Sequence, residues 1–230
     1  MENSENKLLV PSAIIVAGLI VAGAIVYIKS PSAPTGGSPA VPNIQQVPAS
    51  TADILKIHNG DFILGNPSAK VVFVEYADFQ CPFCGKFFQT AERQIINQYV
   101  KTGKAVFVYR DFSFLGEEST RAAEAARCAG EEGKFWEYHD YLFLHQNGEN
   151  QGTFADANLK KFAGTLKLDQ AKFNACFDSG KYKKAIDDSV ADGRSIGVNG
   201  TPASFINGQS ISGAVPFATF QAALENALKK

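Results

Sequence analysis

Polar and apolar positions divide the chain into blocks. Leu8 to Ile28 is an unbroken hydrophobic run with no charge inside it, flanked by Lys7 and Lys29. At about 20 residues it matches the thickness of a bilayer core. A cleaved signal peptide has a shorter apolar region of about 7–15 residues. Ala22-Gly23-Ala24 has the small-residue form of a cleavage site, but apolar residues continue to Ile28, which favours an uncleaved anchor. Ser30 to Ser50 is rich in Pro, Ser, Ala and Gly, a composition that cannot bury a core and reads as a tether. The plan is an anchor over residues 1–29, a linker over 30–52 and a folded domain over 53–230.

Within the domain the periodicity changes twice. Phe62 to Pro67 is a short apolar stretch ended by a turn signal, and predicts an edge strand. Val71 to Tyr76 and Ala105 to Arg110 are nearly continuous apolar runs, suited to strands covered on both faces. Helical spacing over Lys86–Val100 lies between them, so the order is strand, helix, strand, with the two strands parallel. A helical block follows over Glu117–Ala129, Phe135–Gln146, Phe154–Leu166, Asp169–Phe177 and Lys181–Ile196, with Asp169 placed as an N-cap. Ala203–Ile206 then reads as a strand, Asn207-Gly208 as a two-residue hairpin turn, Gln209–Ile211 as the returning strand and Pro216–Leu228 as a closing helix. The expected fold is α/β: βαβ, a helical insertion at about 115–197, then ββα.

Composition adds two constraints. The net charge is −1, so no surface for nucleic acid or another polyanion is indicated. There are 18 Phe against one Trp, which suggests a Phe-rich core.

Four cysteines, Cys81, Cys84, Cys128 and Cys176, all lie beyond the apolar run. An even count in an exported domain permits two disulfides. Cys81 and Cys84 are already close in sequence, which leaves Cys128 to pair with Cys176. Two buried free thiols or a second redox pair are the other readings of Cys128 and Cys176. All four thiols could also hold zinc, but no second CxxC or His pair appears, and no metal is expected.

Cys81-Pro82-Phe83-Cys84 carries the candidate chemistry. A CxxC between a strand and a helix sets its first sulfur at the helix N-terminus, where free N–H groups and the helix dipole favour an anion. The thiolate is the form that attacks disulfides. Cys81 is therefore the expected nucleophile, exposed and with a lowered pKa. Cys84, one turn on, is the expected resolving thiol, more buried. Pro82 fits the first turn, where its missing N–H costs nothing. The alternative is a permanent Cys81–Cys84 disulfide. Among the nearby Phe79, Phe83, Phe87 and Phe88, the one between the cysteines is expected to be exposed, as part of an apolar rim. Trp136 and Tyr138 read as core, and Asp78 as a turn residue.

Glu75-Tyr76-Ala77-Asp78-Phe79-Gln80-Cys81-Pro82-Phe83-Cys84, Gly133-Lys134-Phe135-Trp136 after Ala129, and Gly197 to Gly208 with its Gly-Thr-Pro resemble the DsbA-like thiol–disulfide oxidoreductases. The chain looks most like their membrane-anchored forms. One departure is Pro-Phe between the cysteines, where the best-known oxidase has Pro-His. The resemblance implies a thioredoxin fold with a helical insertion and a cis bond before Pro202. The Thr201-Pro202 loop would face the CxxC and hold a client strand by main-chain hydrogen bonds. It also implies a buried acid at Glu75 that relays the proton of Cys84, against the plainer reading of a strand-end glutamate in water.

The implied activity is the introduction of disulfides into exported proteins, on the outer side of the membrane and by a monomer. Its clients would be reduced or unfolded chains. A quinone-linked membrane oxidase would restore the disulfide, with no cofactor beyond the Cys81–Cys84 pair. The alternatives are a reductase or isomerase on the same fold, or a client-binding module without catalysis.

Overall fold

The computed structural model describes residues 44–46, 55–58 and 60–230. The proposed anchor over Leu8–Ile28 and most of the linker lie outside them. Among the described residues no helix is long and apolar enough to cross a membrane.

Among the described residues, six strands form one sheet: β1 Ile44–Gln46, β2 Phe62–Leu64, β3 Val71–Ala77, β4 Ala105–Asp111, β5 Ala203–Ile206 and β6 Gln209–Ser212, in the order β1-β6-β5-β3-β4-β2. β3 and β4 are parallel and in register from Val71 with Ala105 to Ala77 with Asp111. The other pairings are antiparallel. The unbroken apolar runs thus became the central parallel pair, and Phe62–Leu64 became an edge.

One strand falls inside the stretch read as linker: Ile44–Gln46 pairs with β6, Ile44 opposite Ile211. The Pro, Ser and Gly that mark residues 30–52 as a tether are missing from Ile44-Gln45-Gln46-Val47. That stretch can therefore meet the backbone groups β6 would otherwise present at an edge.

Alternation along β3 sorts its side chains onto two cores. Val71, Phe73 and Ala77 face the larger one, while Val74 and Tyr76 face a second with Val108, Phe112 and Phe205. Glu75 therefore points toward the larger core with Phe73 and Ala77. Helix α1 covers that face. It runs without a break from Pro82 to Val100 as α-helical Pro82–Phe87, a π-helical turn Phe88–Glu92, Arg93–Ile95 and a second π-turn Ile96–Val100. Phe87 lies between Phe73 of β3 and Phe220 of the last helix, α7 Phe217–Lys229.

The helical insertion comprises α2 Glu117–Gly130, α3 Phe135–Leu144, α4 Asp156–Thr165, α5 Gln170–Ser179 and α6 Lys183–Ser195. Buried Ala122, Ala123, Ala125, Ala126 and Ala129 let neighbours approach α2 closely. Asp169 caps α5, its carboxylate accepting the N–H groups of Ala171 and Lys172. Trp136 and Tyr138 are packing residues whose polar ends donate to the carbonyls of Ile63 and Leu159. Cys128 of α2 and Cys176 of α5 form a disulfide across 48 residues of sequence.

A loop of that length gives about 4 kcal/mol in the chain-entropy model, with less often realised. Replacing both Cys128 and Cys176 by Ser is expected to lower unfolding stability by about 2–4 kcal/mol. Urea unfolding checks this, and an unchanged midpoint would show that packing alone holds the insertion.

Candidate active site

Cys81 is the N-cap of α1, in an extended conformation with Pro82 in the first turn. Its carbonyl accepts the N–H of Gly85 at 3.1 Å, and its N–H donates to Asp78 O at 3.0 Å. The Thr201–Pro202 peptide bond is cis. The Thr201 carbonyl lies 3.4 Å from Cys81 Sγ and accepts its proton in the thiol form. The two sequence segments, 120 residues apart, therefore meet at one sulfur.

Exposure differs from expectation. Cys81 keeps only 5% of its surface and Cys84 none. The expected openly exposed nucleophile is corrected to a nearly covered one, because the Thr201 carbonyl leans over the sulfur. Pro82 and Phe83 are exposed beside it, Phe83 by 61%, while Phe79, Phe87 and Phe88 are core. Pro202 is buried and Thr201 half-buried.

The two thiols are pushed in opposite directions. Cys81 is lowered from 9.0 to about 6, chiefly by the hydrogen bond it receives from the Cys84 thiol. Burial works against this, and the backbone N–H groups of Phe83 and Cys84 add to it. Cys84 is raised well above its usual value, first by burial, then by its hydrogen bonding to Cys81 and by the charge there. One sulfur is built to be an anion and the other to stay protonated.

Glu75 is wholly buried, which excludes the solvent-exposed reading. Neither carboxylate oxygen has a hydrogen-bond partner among the described residues. Burial raises its pKa well above the ordinary value, with further increases from the charges of Glu92 and Cys81. Cys84 feels the charge of Glu75 in turn, so the acid lies within electrostatic reach of the resolving thiol.

A family model described as thioredoxin matches residues 58–226. The chain belongs to the thioredoxin family. An Na(+)/H(+) antiporter NhaA 1 of Salinispora arenicola is 32% identical over 167 residues, covering 73% of this chain and 24% of that protein. This chain thus spans about a quarter of the length of the antiporter relatives it matches. A putative protein-disulfide oxidoreductase of Rickettsia typhi is 27% identical over 160 residues, 69% of this chain and 59% of that one. The solved structure of Wolbachia pipientis α-DsbA1 superposes with a TM-score of 0.71 at 22% identity, covering 78% of this chain and 96% of that chain. The fold is that of the DsbA-type thiol–disulfide oxidoreductases, a thioredoxin domain with an inserted helical unit.

Around this thioredoxin-family CxxC the structure adds residues that sequence reasoning passed over. Asp78 is a turn residue, its Oδ1 accepting the N–H of Gln80, but it is also a buried hub. Oδ1 accepts the Ser119 hydroxyl at 2.6 Å, and Oδ2 accepts the N–H groups of Phe114 and Leu115. Gln80 donates to Ser119 Oγ and accepts the N–H of Asn150. Gln146 leaves the end of α3, and its Nε2 donates to the carbonyls of Phe79 and Cys81, at 2.5 and 3.1 Å. These bonds pin the approach to Cys81 onto the insertion. No local motif announces the bonds that reach the insertion, since each spans 36 residues or more.

Absorbance at 240 nm is expected to show one thiolate forming with a midpoint near 6 and no second one below 9. Because the folded value of Cys81 is depressed, the stability it lends the reduced protein is complete above about 9 and is lost as pH falls through about 6. The stability of the reduced form relative to the disulfide form should therefore rise across that window. Gln146→Ala is expected to destabilise the protein by about 1 kcal/mol and to raise the Cys81 midpoint by loosening the helix start. Thermal unfolding and the same titration check both effects.

Proposed function

We propose that this protein is an extracytoplasmic thiol–disulfide oxidoreductase that introduces disulfides into exported proteins through Cys81 and Cys84. The observation that carries the reading is the split between the two sulfurs. Holding Cys81 as a thiolate with a midpoint near 6 stabilises the reduced enzyme, and a stabilised reduced form makes the disulfide an oxidant. A client thiolate attacks Cys81 of the Cys81–Cys84 disulfide, and Cys84 leaves. A second client thiolate then attacks the mixed disulfide, Cys81 leaves as thiolate, and the client departs oxidised. Glu75 supplies the proton that Cys84 takes up and accepts it again on reoxidation.

Exposed Pro82 and Phe83 form the rim that a client meets first. A groove of about 430 Å³ is lined by Phe112, Phe114, Arg194, Gly197, Val198 and Asn199, the last of these lying two residues before Thr201. Residues 8–28 would anchor the protein with its N-terminus inside. The Cys128–Cys176 disulfide suits an oxidising compartment. A quinone-linked membrane oxidase would restore the active disulfide, and the protein would work as a monomer without another cofactor.

The reduction potential against glutathione tests the direction. A value toward about −120 mV is expected, whereas one near −270 mV, that of thioredoxin, would make the protein a reductase. Cys81→Ser is expected to abolish oxidation of a reduced, unfolded client. A variant that kept its full cellular role would point instead to a client-binding module.

A further inference from the structure

Glu75 is part of a buried polar seam. It stands opposite Tyr109 on β4 and Ser204 on β5, a row on the α1-facing side of the sheet. Glu75 Oε1 and Oε2, Tyr109 OH and Ser204 Oγ are all buried without a hydrogen-bond partner among the described residues. So are Glu92 Oε2 of α1 and His139 Nε2 of α3. The His139 ring meets Phe79, Phe88 and Tyr109, which ties it to the same seam. Native interiors rarely leave so many polar atoms without partners, and such a cluster calls for a reason.

The seam has one open end. Polar side-chain atoms of Glu92, His139 and Asp140 lie within 4.8 Å of one another, and His139 Nδ1 is 2.9 Å from Asp140 Oδ1. Glu92 itself is 1% exposed, yet it lines a surface pocket of about 240 Å³ with Arg93, Asn97, Lys101 and Asp140. Glu92 also closes the π-turn of α1, an irregularity that often accompanies a functional position.

We propose that Glu92 is the solvent-side station of a proton path running from Cys84 through Glu75 to the pocket beside Asp140. The inference rests on the thiol–disulfide reading and adds to it the route by which a sealed thiol exchanges its proton. When a client thiolate attacks Cys81, the Cys81–Cys84 bond breaks and Cys84 leaves with the electron pair. Glu75 gives its proton to Cys84, Glu92 gives its proton to Glu75, and Glu92 reloads from water through the pocket. Oxidation of the dithiol by a partner disulfide or quinone runs the same transfers backwards and releases one proton there. Glu92 touches no reacting atom and acts through Glu75.

Electrostatics at Glu92 suit the task. Burial, then the charge of Asp140, raise it to about 8, while Arg93 opposes them. The groups facing it are Arg93 and Lys101 of its own helix region, His139 and Asp140 of α3, and Glu75 of β3. His139 is held neutral by burial. Glu92 is therefore protonated at neutral pH and loses its proton as pH rises through about 8.

The test compares reduction of the Cys81–Cys84 disulfide by dithiothreitol in wild type, Glu92→Gln, Glu75→Gln and the double variant, by rapid alkylation across pH 6–9. Taking each variant as a ratio to wild type removes the pH dependence of the reagent. Glu92→Gln is expected to slow reduction at pH 7 by about fivefold or more, with the deficit shrinking above pH 8. The double variant should be no slower than Glu75→Gln alone, because two stations in series fail once. An unchanged rate in Glu92→Gln, or additive losses in the double variant, would overturn the path. If Glu92→Gln does not fold, carboxyl carbon NMR of the wild type decides. The Glu92 signal must titrate near 8 and move on reduction of the disulfide, and a signal blind to the redox state would overturn the proposal. Absence of any disulfide exchange in the wild type would instead sink the proposed function.

Discussion

The pull of the Cys84 thiol on the charge of the Cys81 sulfur is the interaction on which the rest depends. It exists because α1 starts at Pro82, which sets the two sulfurs one turn apart, one at the helix tip and one in the core. Negative charge on Cys81 is favoured by the neighbouring Cys84 thiol and by the first free N–H groups, and on Cys84 it is opposed by complete burial. The chemistry of the pair is a consequence of where one helix begins.

Several long-range contacts serve to keep that start fixed. Asp78 ties the strand end to the first residues of the insertion, Gln80 reaches Ser119 and Asn150, and Gln146 holds the carbonyls on either side of Gln80. The insertion is thus part of the active-site scaffold as well as a cover for the sheet. The Cys128–Cys176 disulfide joins α2, which supplies Ser119, to α5. Redox chemistry at one cysteine pair rests in this way on a structural bridge at the other.

Much of this was legible in the chain. The unbroken apolar runs at Val71 and Ala105 implied a sheet covered on both faces, and the CxxC at its junction named the reacting sulfurs. Glu75 stood out as one acid in an apolar strand. Three things escaped. Ile44–Gln46 hides in a Pro-rich stretch whose average composition says tether. Cys81 is covered because Thr201, 120 residues away, closes over it, and spacing cannot show that. Glu92 and His139 look like ordinary polar positions on amphipathic helices, and only tertiary packing turns them inward to meet the Glu75 side of the sheet.

The pH dependence of the reduction potential tests the central claim most directly, because it counts protons. With Cys81 ionised and Cys84 protonated, reduction takes up two electrons and one proton. The potential should then fall by about 30 mV per pH unit between pH 6 and 9, steepening to about 59 mV below 6. A slope near 59 mV across the whole range would mean that both thiols stay protonated, and the account of the site would be wrong.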